Sequence, residues 1–347
     1  MLRTLLLALT LALGAAPAAR AAAIRAEIPI ETSVLSNGAR RFAIPVQVGS
    51  TRLMASLDTG STGLRILPGV LAPGDAPRNG EPEIYGYASG SRYEGVAAEA
   101  PLVIGGLKGA STVHIIRSIG CYAYLPHCPA SRTTLDRYGI ASDGLPGEGF
   151  KAIVGIDMAP GRVGNPLRAL GVSRWIVELP RQGEAVGRLI LNPTDAETEG
   201  YAMAPLAAPY AHERGGGLHD AVPGCLSNSE THARACGPVL LDTGGPSIAL
   251  ANPRLESPPW PAGSPIALEV FDDHGDLAVR APFTVGDRDL GTRLYFRQDN
   301  HVFGTVVYAG VAPYFAYSVL YDARRQRIGL KPRAPVASAT PSSRADR

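Results

Sequence analysis

The fold is decided by the stretch Leu57-Asp58-Thr59-Gly60-Ser61-Thr62-Gly63, which recurs once as Leu241-Asp242-Thr243-Gly244-Gly245-Pro246-Ser247. Each copy follows a short apolar run and precedes another, at residues 64–67 and 248–250. Apolar runs separated by polar residues and glycine are typical of a strand, a tight turn and a second strand. The sequence therefore predicts two similar loops, each with an aspartate at the turn.

A pair of such aspartates suits acid–base chemistry. A lone carboxyl of this type titrates near about 3.9 and is a weak base at neutral pH. Two carboxyls held together share a proton, so that one accepts a proton from water and the other donates to a substrate carbonyl. One Asp-Thr-Gly on its own is equally typical of an ordinary turn. Two copies in the same setting favour a site, in which we expect Thr59 and Thr243 to hydrogen-bond to the opposite loop.

Three more segments fit the pattern of one known family. Tyr87-Ala88-Ser89-Gly90-Ser91 is a tyrosine followed by small residues, residues 150–156 read FKAIVGI, and residues 320–330 read LYDARRQRIGL. Together with the two motifs, in this order, they resemble the pepsin-like aspartic proteases over roughly residues 28–333. The resemblance implies an all-β, two-lobed pepsin-like fold with short helices, with one lobe at residues 28–192 and the other at 193–333.

The resemblance also implies functional roles. Asp58 and Asp242 are expected to be catalytic, with no cofactor and no metal, on a peptide or unfolded protein substrate, in a monomer. The predicted supporting residues of the catalytic loops are Thr59, Gly60, Ser61, Thr243 and Gly244, and the predicted substrate-binding flap contains Tyr87, Ser89 and Gly90.

The chain departs from the family pattern at two places near the acids. Arg65 stands near the position of a tryptophan that supports the flap tyrosine in the family, and Gly245 replaces a hydroxyl residue that donates to the neighbouring aspartate. Tyr85 competes with Tyr87 for the flap role, and Tyr87 is also interpretable as a strand aromatic that packs under a loop.

The N-terminus has the pattern of a signal peptide at residues 1–21, with Arg3 before an apolar run and an Ala-rich end. The run is short for a membrane anchor, so we expect an exported protein, periplasmic or secreted. The distance from residue 21 to the first strand predicts no long prosegment.

The tail at residues 334–347 has a disordered composition. The net charge of +2 favours neither nucleic acid nor a membrane surface as partner.

Four cysteines in an exported chain favour disulfides. Close spacing favours Cys121 with Cys128 and Cys225 with Cys236, although spacing alone leaves the connectivity open. A metal site is the alternative at the second pair, because His212, His219 and His232 flank it.

Local patterns predict further elements. Residues 165–170 are a short helix candidate, residues 175–179 and 187–191 a hairpin, and residues 306–310 a counterpart of residues 153–155.

The sequence as a whole favours an aspartic endopeptidase that activates water between two aspartates. The alternatives are a weak or inactive homologue that binds peptides or proteins, and a hydrolase that uses serine and histidine, for which no supported Gly-x-Ser-x-Gly occurs.

Overall fold

The structure, a computed structural model, describes residues 24–207, 219–254, 260–299, 302 and 304–334. Strands account for 50% of the described residues and helices for 5%, which confirms the predicted all-β class. No helix in these ranges has the length and apolar character needed to cross a membrane. The predicted signal peptide and residues 335–347 of the predicted tail lie outside the described residues.

The strands are β1 (Ala26–Val34), β2 (Arg40–Val48), β3 (Thr51–Asp58), β4 (Thr62–Ile66), β5 (Glu81–Gly86), β6 (Ser91–Ile104), β7 (Leu107–Cys121), β8 (Ala152–Ile156), β9 (Arg174–Glu178), β10 (Gly187–Leu191), β11 (Ala202–Pro205), β12 (Ala221–Asn228), β13 (Arg234–Leu241), β14 (Ile248–Asn252), β15 (Pro265–Phe271), β16 (Leu277–Thr284), β17 (Leu294–Gln298), β18 (Val306–Gly310), β19 (Tyr317–Asp322) and β20 (Arg327–Pro332). The α-helices are α1 (Pro166–Ala169) and α2 (Ala312–Ala316), and short 3-10 turns occupy Pro129–Arg132 and Ala196–Thr198.

The strands form two sheets. The larger has 13 strands in the order β11-β20-β19-β9-β10-β1-β2-β3-β8-β4-β7-β6-β5, and the smaller has 7 in the order β16-β15-β12-β13-β18-β14-β17. The end of the chain returns to the larger sheet, where β19 pairs with β9. One sheet therefore draws strands from both halves of the sequence, while the lobe boundary near residue 192 stays a prediction.

The same strand arrangement occurs twice. In the first half, β8 lies between β3, to which it is parallel, and β4, to which it is antiparallel, and β4 is parallel to β7. In the second half, β18 lies between β13 and β14 with the same directions, and β14 is parallel to β17. This confirms that residues 306–310 are the counterpart of residues 153–155. Each acidic motif lies at the end of the first strand of its arrangement.

Burial of apolar side chains holds these arrangements together. Leu57, Leu64 and Val154 have no exposed surface in the first half, and Leu241 and Val307 are equally enclosed in the second. All five belong to one continuous hydrophobic cluster. Removing such side chains from water stabilises a fold by about 25 cal/mol per Å² of apolar surface. The apolar runs of the motifs therefore fix the backbone on both sides of each aspartate.

Local predictions are confirmed around this core. The Asn165 side chain accepts a hydrogen bond from the amide of Leu167 (2.8 Å) and caps α1, and β9 and β10 form the predicted hairpin. Disulfides join Cys121 to Cys128 and Cys225 to Cys236.

The second disulfide removes the two thiols that a metal site at that pair requires. Within the described ranges, no group of three histidine, cysteine, aspartate or glutamate side chains is placed to hold a metal ion. His212 lies outside those ranges.

Candidate active site

The two acidic loops meet at their aspartates. Asp58 ends β3 and Asp242 directly follows β13. A Cβ atom placed on Gly60 would lie 2.6 Å from Cγ of Asp242, and one on Gly244 would lie 2.9 Å from Oδ1 of Asp58. Each glycine therefore faces the acid of the opposite loop at a distance that admits no side chain. The glycines are needed for this close approach rather than for an unusual backbone angle.

The threonines of the two motifs interlock the loops. The amide of Thr59 donates to Oγ1 of Thr243 (3.1 Å), and the amide of Thr243 donates to Oγ1 of Thr59 (2.9 Å). Each hydroxyl in turn donates to a backbone carbonyl of the opposite half, at Leu241 and Leu57 (2.8 Å each). The predicted bonds to the opposite loop are thus present, and they fix the distance between the two acids.

A pair of buried tyrosines supports this interlock from below. The hydroxyl of Tyr314, on α2, contacts Oγ1 of Thr59 (2.8 Å) and donates to the carbonyl of Leu241 (3.0 Å). Its other neighbour is the hydroxyl of Tyr321, at 2.5 Å. Burial raises the pKa of both tyrosines, so both stay neutral donors. Sequence reasoning missed them, and the only local signal is a tyrosine inside the apolar segment that follows β18, since a buried tyrosine hydroxyl usually has a partner.

The two acids differ in their hydrogen bonds. Asp58 accepts from the amide of Gly60 (2.9 Å) and from the hydroxyl of Ser61 (2.6 Å). Asp242 accepts from the amide of Gly244 (2.8 Å), and no hydroxyl of a described residue, that of Ser247 included, donates to it. The difference follows from the sequence, because Gly245 stands where the first loop has Ser61.

The surroundings of Asp242 also shift its pKa. Burial, followed by the charge of Asp58, raises the pKa of Asp242 well above its ordinary value. Protonated Asp242 also donates a hydrogen bond to Asp58, which raises the same pKa, and the amides of Gly244 and Gly245 oppose the shift. The raised pKa favours the protonated form of Asp242, whereas the Asp58 carboxyl keeps two hydrogen-bond donors.

A second group of acids lies behind the first loop, and sequence reasoning missed it. The amide of Asp157 donates to the carbonyl of Ser61 (3.0 Å). Burial, then the neighbouring Asp220, raises the pKa of Asp157 to about 7. Asp220 accepts from the amide of Met158 (2.9 Å) and contacts Nδ1 of His219 (2.8 Å), which raises the pKa of His219. His219, weighed from sequence as a metal ligand, instead partners this acid.

The predicted flap is the hairpin of β5 and β6, with residues 87–90 as its turn. The amide of Gly90 donates to the carbonyl of Tyr87 (2.8 Å), and Gly90 has a positive φ of 90°, which glycine adopts without strain. Ser89 is exposed at the tip. The ring of Tyr87 packs on those of Tyr85 and Tyr93, and its buried hydroxyl has no partner among the described residues. The Tyr87 ring is therefore packed among the aromatic side chains of the hairpin, and its role in a flap stays a prediction.

Arg65 contacts the hairpin of β5 and β6 through Tyr85. Its guanidinium lies 3.3 Å from the ring centre of Tyr85, a cation–π arrangement, and the residue is only 1% exposed. It donates to the carbonyls of Thr62 and Gly63, and no described carboxylate pairs with it. Burial and this cation lower the pKa of His114 to about 4. Arg65 thus links the first acidic loop to Tyr85.

The first disulfide loop holds the tip of the hairpin from outside. The amide of Tyr122 donates to the carbonyl of Gly90 (3.0 Å), and Cys121 pairs with Ser91 across β6 and β7. A Cβ atom on Gly90 would lie 2.7 Å from Cβ of Leu125. The hairpin tip is therefore packed against a covalently closed loop.

The site as a whole combines an interlocked carboxyl pair, in which the pKa of Asp242 is raised, and a hairpin packed on the loop of Asp58. Such a pair can take a proton from water and give one to an acceptor oxygen in the same step. Neither a protein-family model nor a curated protein sequence matches this chain at a significant level.

Proposed function

We propose that this protein is an aspartic endopeptidase with a pepsin-like, two-lobed fold, in which Asp58 and Asp242 are the catalytic residues. The observation that carries the proposal is the interlock of two equivalent loops. Each loop follows the first strand of one of the two equivalent strand arrangements. The hydrogen bonds of the threonines hold the two acids next to each other. A turn with no catalytic purpose has no need for a reciprocal lock to a second turn with the same Asp-Thr-Gly sequence.

The proposed reaction follows from the position of the proton. Asp58, ionised, takes a proton from a water molecule held between the acids, and the water oxygen bonds to the carbonyl carbon of the substrate. Asp242 gives its proton to the carbonyl oxygen, which stabilises the developing charge. The resulting diol collapses as the C–N bond breaks: Asp58 gives the proton it took from water to the amine nitrogen, and one hydroxyl of the diol returns a proton to Asp242. The two carboxyls supply every proton transfer, so the mechanism requires no covalent intermediate and no cofactor.

The hairpin of β5 and β6 is the proposed flap over a bound peptide, with Ser89 and Gly90 at its tip. Tyr85 is the proposed aromatic of the flap, because it packs directly on Arg65 of the first acidic loop, whereas Tyr87 points under the turn. The paired cysteines are compatible with export, and we propose a periplasmic or secreted monomer that acts on peptides or unfolded proteins.

A second candidate function is peptide or protein binding without efficient catalysis. Two observations favour it: Asp242 lacks the hydroxyl donor that Asp58 has, and the buried Arg65 carries an unpaired charge close to the first loop. Retention of both acids and of the complete threonine interlock favours the enzyme, because a surface that only binds has no need of the shared proton.

Hydrolysis of an unstructured protein by the purified protein between pH 3 and 7 tests the proposal. We expect cleavage that is blocked by pepstatin, a general inhibitor of pepsin-like proteases, and that is absent in Asp58→Ala. An exposed acid offers the matched control, Asp276→Ala, which should cleave like the unchanged protein. Stable binding of peptides without cleavage by the folded protein at any of these pH values would favour the binding function instead.

A further inference from the structure

A cavity of about 210 Å³ opens beside the second acidic loop. Pro246 and Ser247, which directly follow Gly245, line one wall. Val311 also lines it, and its amide donates to the carbonyl of Gly245 (3.0 Å). The opposite wall comes from the first half of the chain, near Asn37. The cavity therefore adjoins the loop of Asp242 and has room for one side chain rather than for a whole ligand, since ligand pockets usually exceed about 300 Å³.

The charge of this cavity is predominantly positive. Its charged lining residues are Arg40, Arg288, Arg293, Asp143 and Asp289. Asp143 is already paired with the buried Arg41 behind the wall, so it does not neutralise the three arginines. Asp289 is the one remaining acid of the lining. An anionic group that enters the cavity would thus meet an excess of guanidinium charge.

The arginines are held in a way that leaves donors available. The guanidinium of Arg40 donates to the carbonyl of Pro180 (3.2 Å) and lies 5.7 Å and 5.5 Å from the rings of Phe42 and Phe315. These contacts fix its position without a carboxylate. Arg288 donates to the carbonyl of Asn37 (2.5 Å).

Arg293 is the free cation of the group. Its side chain has no hydrogen-bond or ion-pair partner among the described residues, but its backbone is anchored. The carbonyl of Arg293 accepts from the amide of Ile248 (2.9 Å), the first residue of the strand that follows the second motif. A guanidinium with five donors and no partner, attached next to a catalytic loop, is suited to bind a carboxylate through two parallel bonds.

We propose that this cavity is a substrate subsite for an ionised carboxylate side chain, so that the enzyme prefers peptides with a glutamate or aspartate at one position near the scissile bond. Arg293 binds the carboxylate, and Arg40 and Arg288 set the positive potential around it. The inference rests on the proposed endopeptidase function, because it assigns the substrate class of that same site.

A peptide series tests the subsite. One glutamate is stepped along an otherwise uncharged cleavable peptide, and each member is compared with its glutamine counterpart. Because charge-assisted bonds are strong, we expect one position at which glutamate raises kcat/KM about tenfold or more at pH 6. The preference should fade below about pH 4.3, where the glutamate of the peptide becomes protonated.

Arginine variants connect the preference to the cavity. Arg293→Gln should abolish the glutamate preference while the glutamine peptide is cleaved as before, and Arg293→Glu should favour lysine at the same position. Arg52→Gln removes an exposed arginine that does not line the cavity and should keep the preference. Cleavage with equal rates for glutamate and glutamine peptides, or a preference that survives in Arg293→Gln, overturns the subsite and leaves the proposed function standing.

A binding measurement separates this inference from the proposed function. If the unchanged protein cleaves none of the peptides, the endopeptidase proposal fails, and fluorescence anisotropy of the same labelled peptides then decides about the cavity. About tenfold tighter binding of the glutamate peptide, lost in Arg293→Gln, supports the carboxylate site. Equal binding of the two peptides overturns it.

Discussion

The two acidic loops have the same strand–turn–strand arrangement and differ at two positions that affect the surroundings of their carboxyls. The third residue after the acid is Ser61 in the first loop and Gly245 in the second. The backbone carbonyl of this third residue accepts a hydrogen bond of 3.0 Å in both loops. The donor is the amide of Asp157 to Ser61 in the first loop and the amide of the apolar Val311 to Gly245 in the second. The first loop therefore has an extra hydroxyl and an extra acid, while the second has neither. A symmetric scaffold thus holds two carboxyls in unequal surroundings.

Removal of either acid should have the largest effect. Asp58→Asn, Asp242→Asn and the double variant should all reduce hydrolysis to near background, because residues that act as one unit are strongly non-additive. The measurement is kcat/KM on one peptide at the pH optimum. Retention of a tenth or more of the activity by either single variant would contradict the shared-proton mechanism.

The buried acid behind the first loop should make stability depend on pH. The folded-state pKa of Asp157 is raised to about 7, so its favourable protonated form is present at acid pH and is lost as the pH rises through that value. The raised pKa of His219 acts in the same direction. The free energy of unfolding should therefore fall between pH 5 and 8, by on the order of 2 kcal/mol.

Asp157→Asn is the variant for this effect, since the amide keeps an oxygen for the backbone donor of Ala159 (2.7 Å). Urea unfolding at pH 5 and 8 should show a smaller loss of stability in the variant than in the unchanged protein. Equal losses in both would show that Asp157 does not titrate in this range.

The two threonines of the interlock make similar hydrogen bonds but should contribute differently to the free energy of unfolding. Thr243→Val leaves the buried amide of Thr59 and the carbonyl of Leu57 without their partners. Thr59→Val leaves the amide of Thr243 unpaired, but the carbonyl of Leu241 keeps the hydroxyl of Tyr314. An unsatisfied buried group costs about 1–3 kcal/mol, so both variants should be destabilised, Thr243→Val more than Thr59→Val.

Thr62→Val is the matched control for the interlock. Its buried Oγ1 has no hydrogen-bond partner among the described residues, so its replacement removes no bond, and the free energy of unfolding from urea titration should stay the same or rise. If Thr62→Val lowers the free energy of unfolding as much as Thr59→Val does, side-chain packing rather than hydrogen bonding determines the destabilisation.

The smallest expected effect is on the pH profile. A Cβ atom on Gly245 would lie 3.2 Å from Oδ2 of Asp242, a tight contact, and Gly245 has no positive φ. Gly245→Ser can therefore supply the missing hydroxyl donor. A donor to the ionised form lowers a carboxyl pKa, so the alkaline limb of kcat/KM should move toward acid by up to roughly one pH unit. If the variant is active and its alkaline limb stays in place, the missing hydroxyl does not set the alkaline limb of the pH profile.

Ser61→Ala is the counterpart in the first loop. It removes a donor from ionised Asp58, so the acid limb, where the pair takes up its second proton, should move to higher pH. Opposite limbs should thus respond in the two variants. A shift of the same limb in both would show that the protons are not assigned to separate acids.

Much of the local structure was readable from the sequence. Apolar runs on both sides of Asp58 and Asp242 predicted the strands and turns, local pattern predicted the short helix at residues 165–170, and close spacing favoured the two disulfides that the structure contains. These predictions succeed because strand alternation, turn chemistry and helix capping depend on residues that are neighbours along the chain.

Other features depend on residues that meet only after folding. Tyr314 and Tyr321 reach the interlock because α2 follows β18, and Asp157 meets Asp220 because the two halves pack together. The position of Tyr87 under its turn was open from the sequence, since a strand aromatic and a flap aromatic have the same local pattern. The structure adds that the Tyr87 ring packs on that of Tyr93, while its role in a flap stays a prediction.

The sequence by itself thus determined the β class, the repeated acidic motif and the donor that is missing at Gly245. Only the tertiary structure decided that burial raises the pKa of Asp242, which tyrosine lies on Arg65, and that Arg293 lines a cavity beside the second loop. The physical reason is that residue types and turns are encoded locally, whereas burial and the distance between charges, which set pKa values and binding sites, arise from contacts between remote segments.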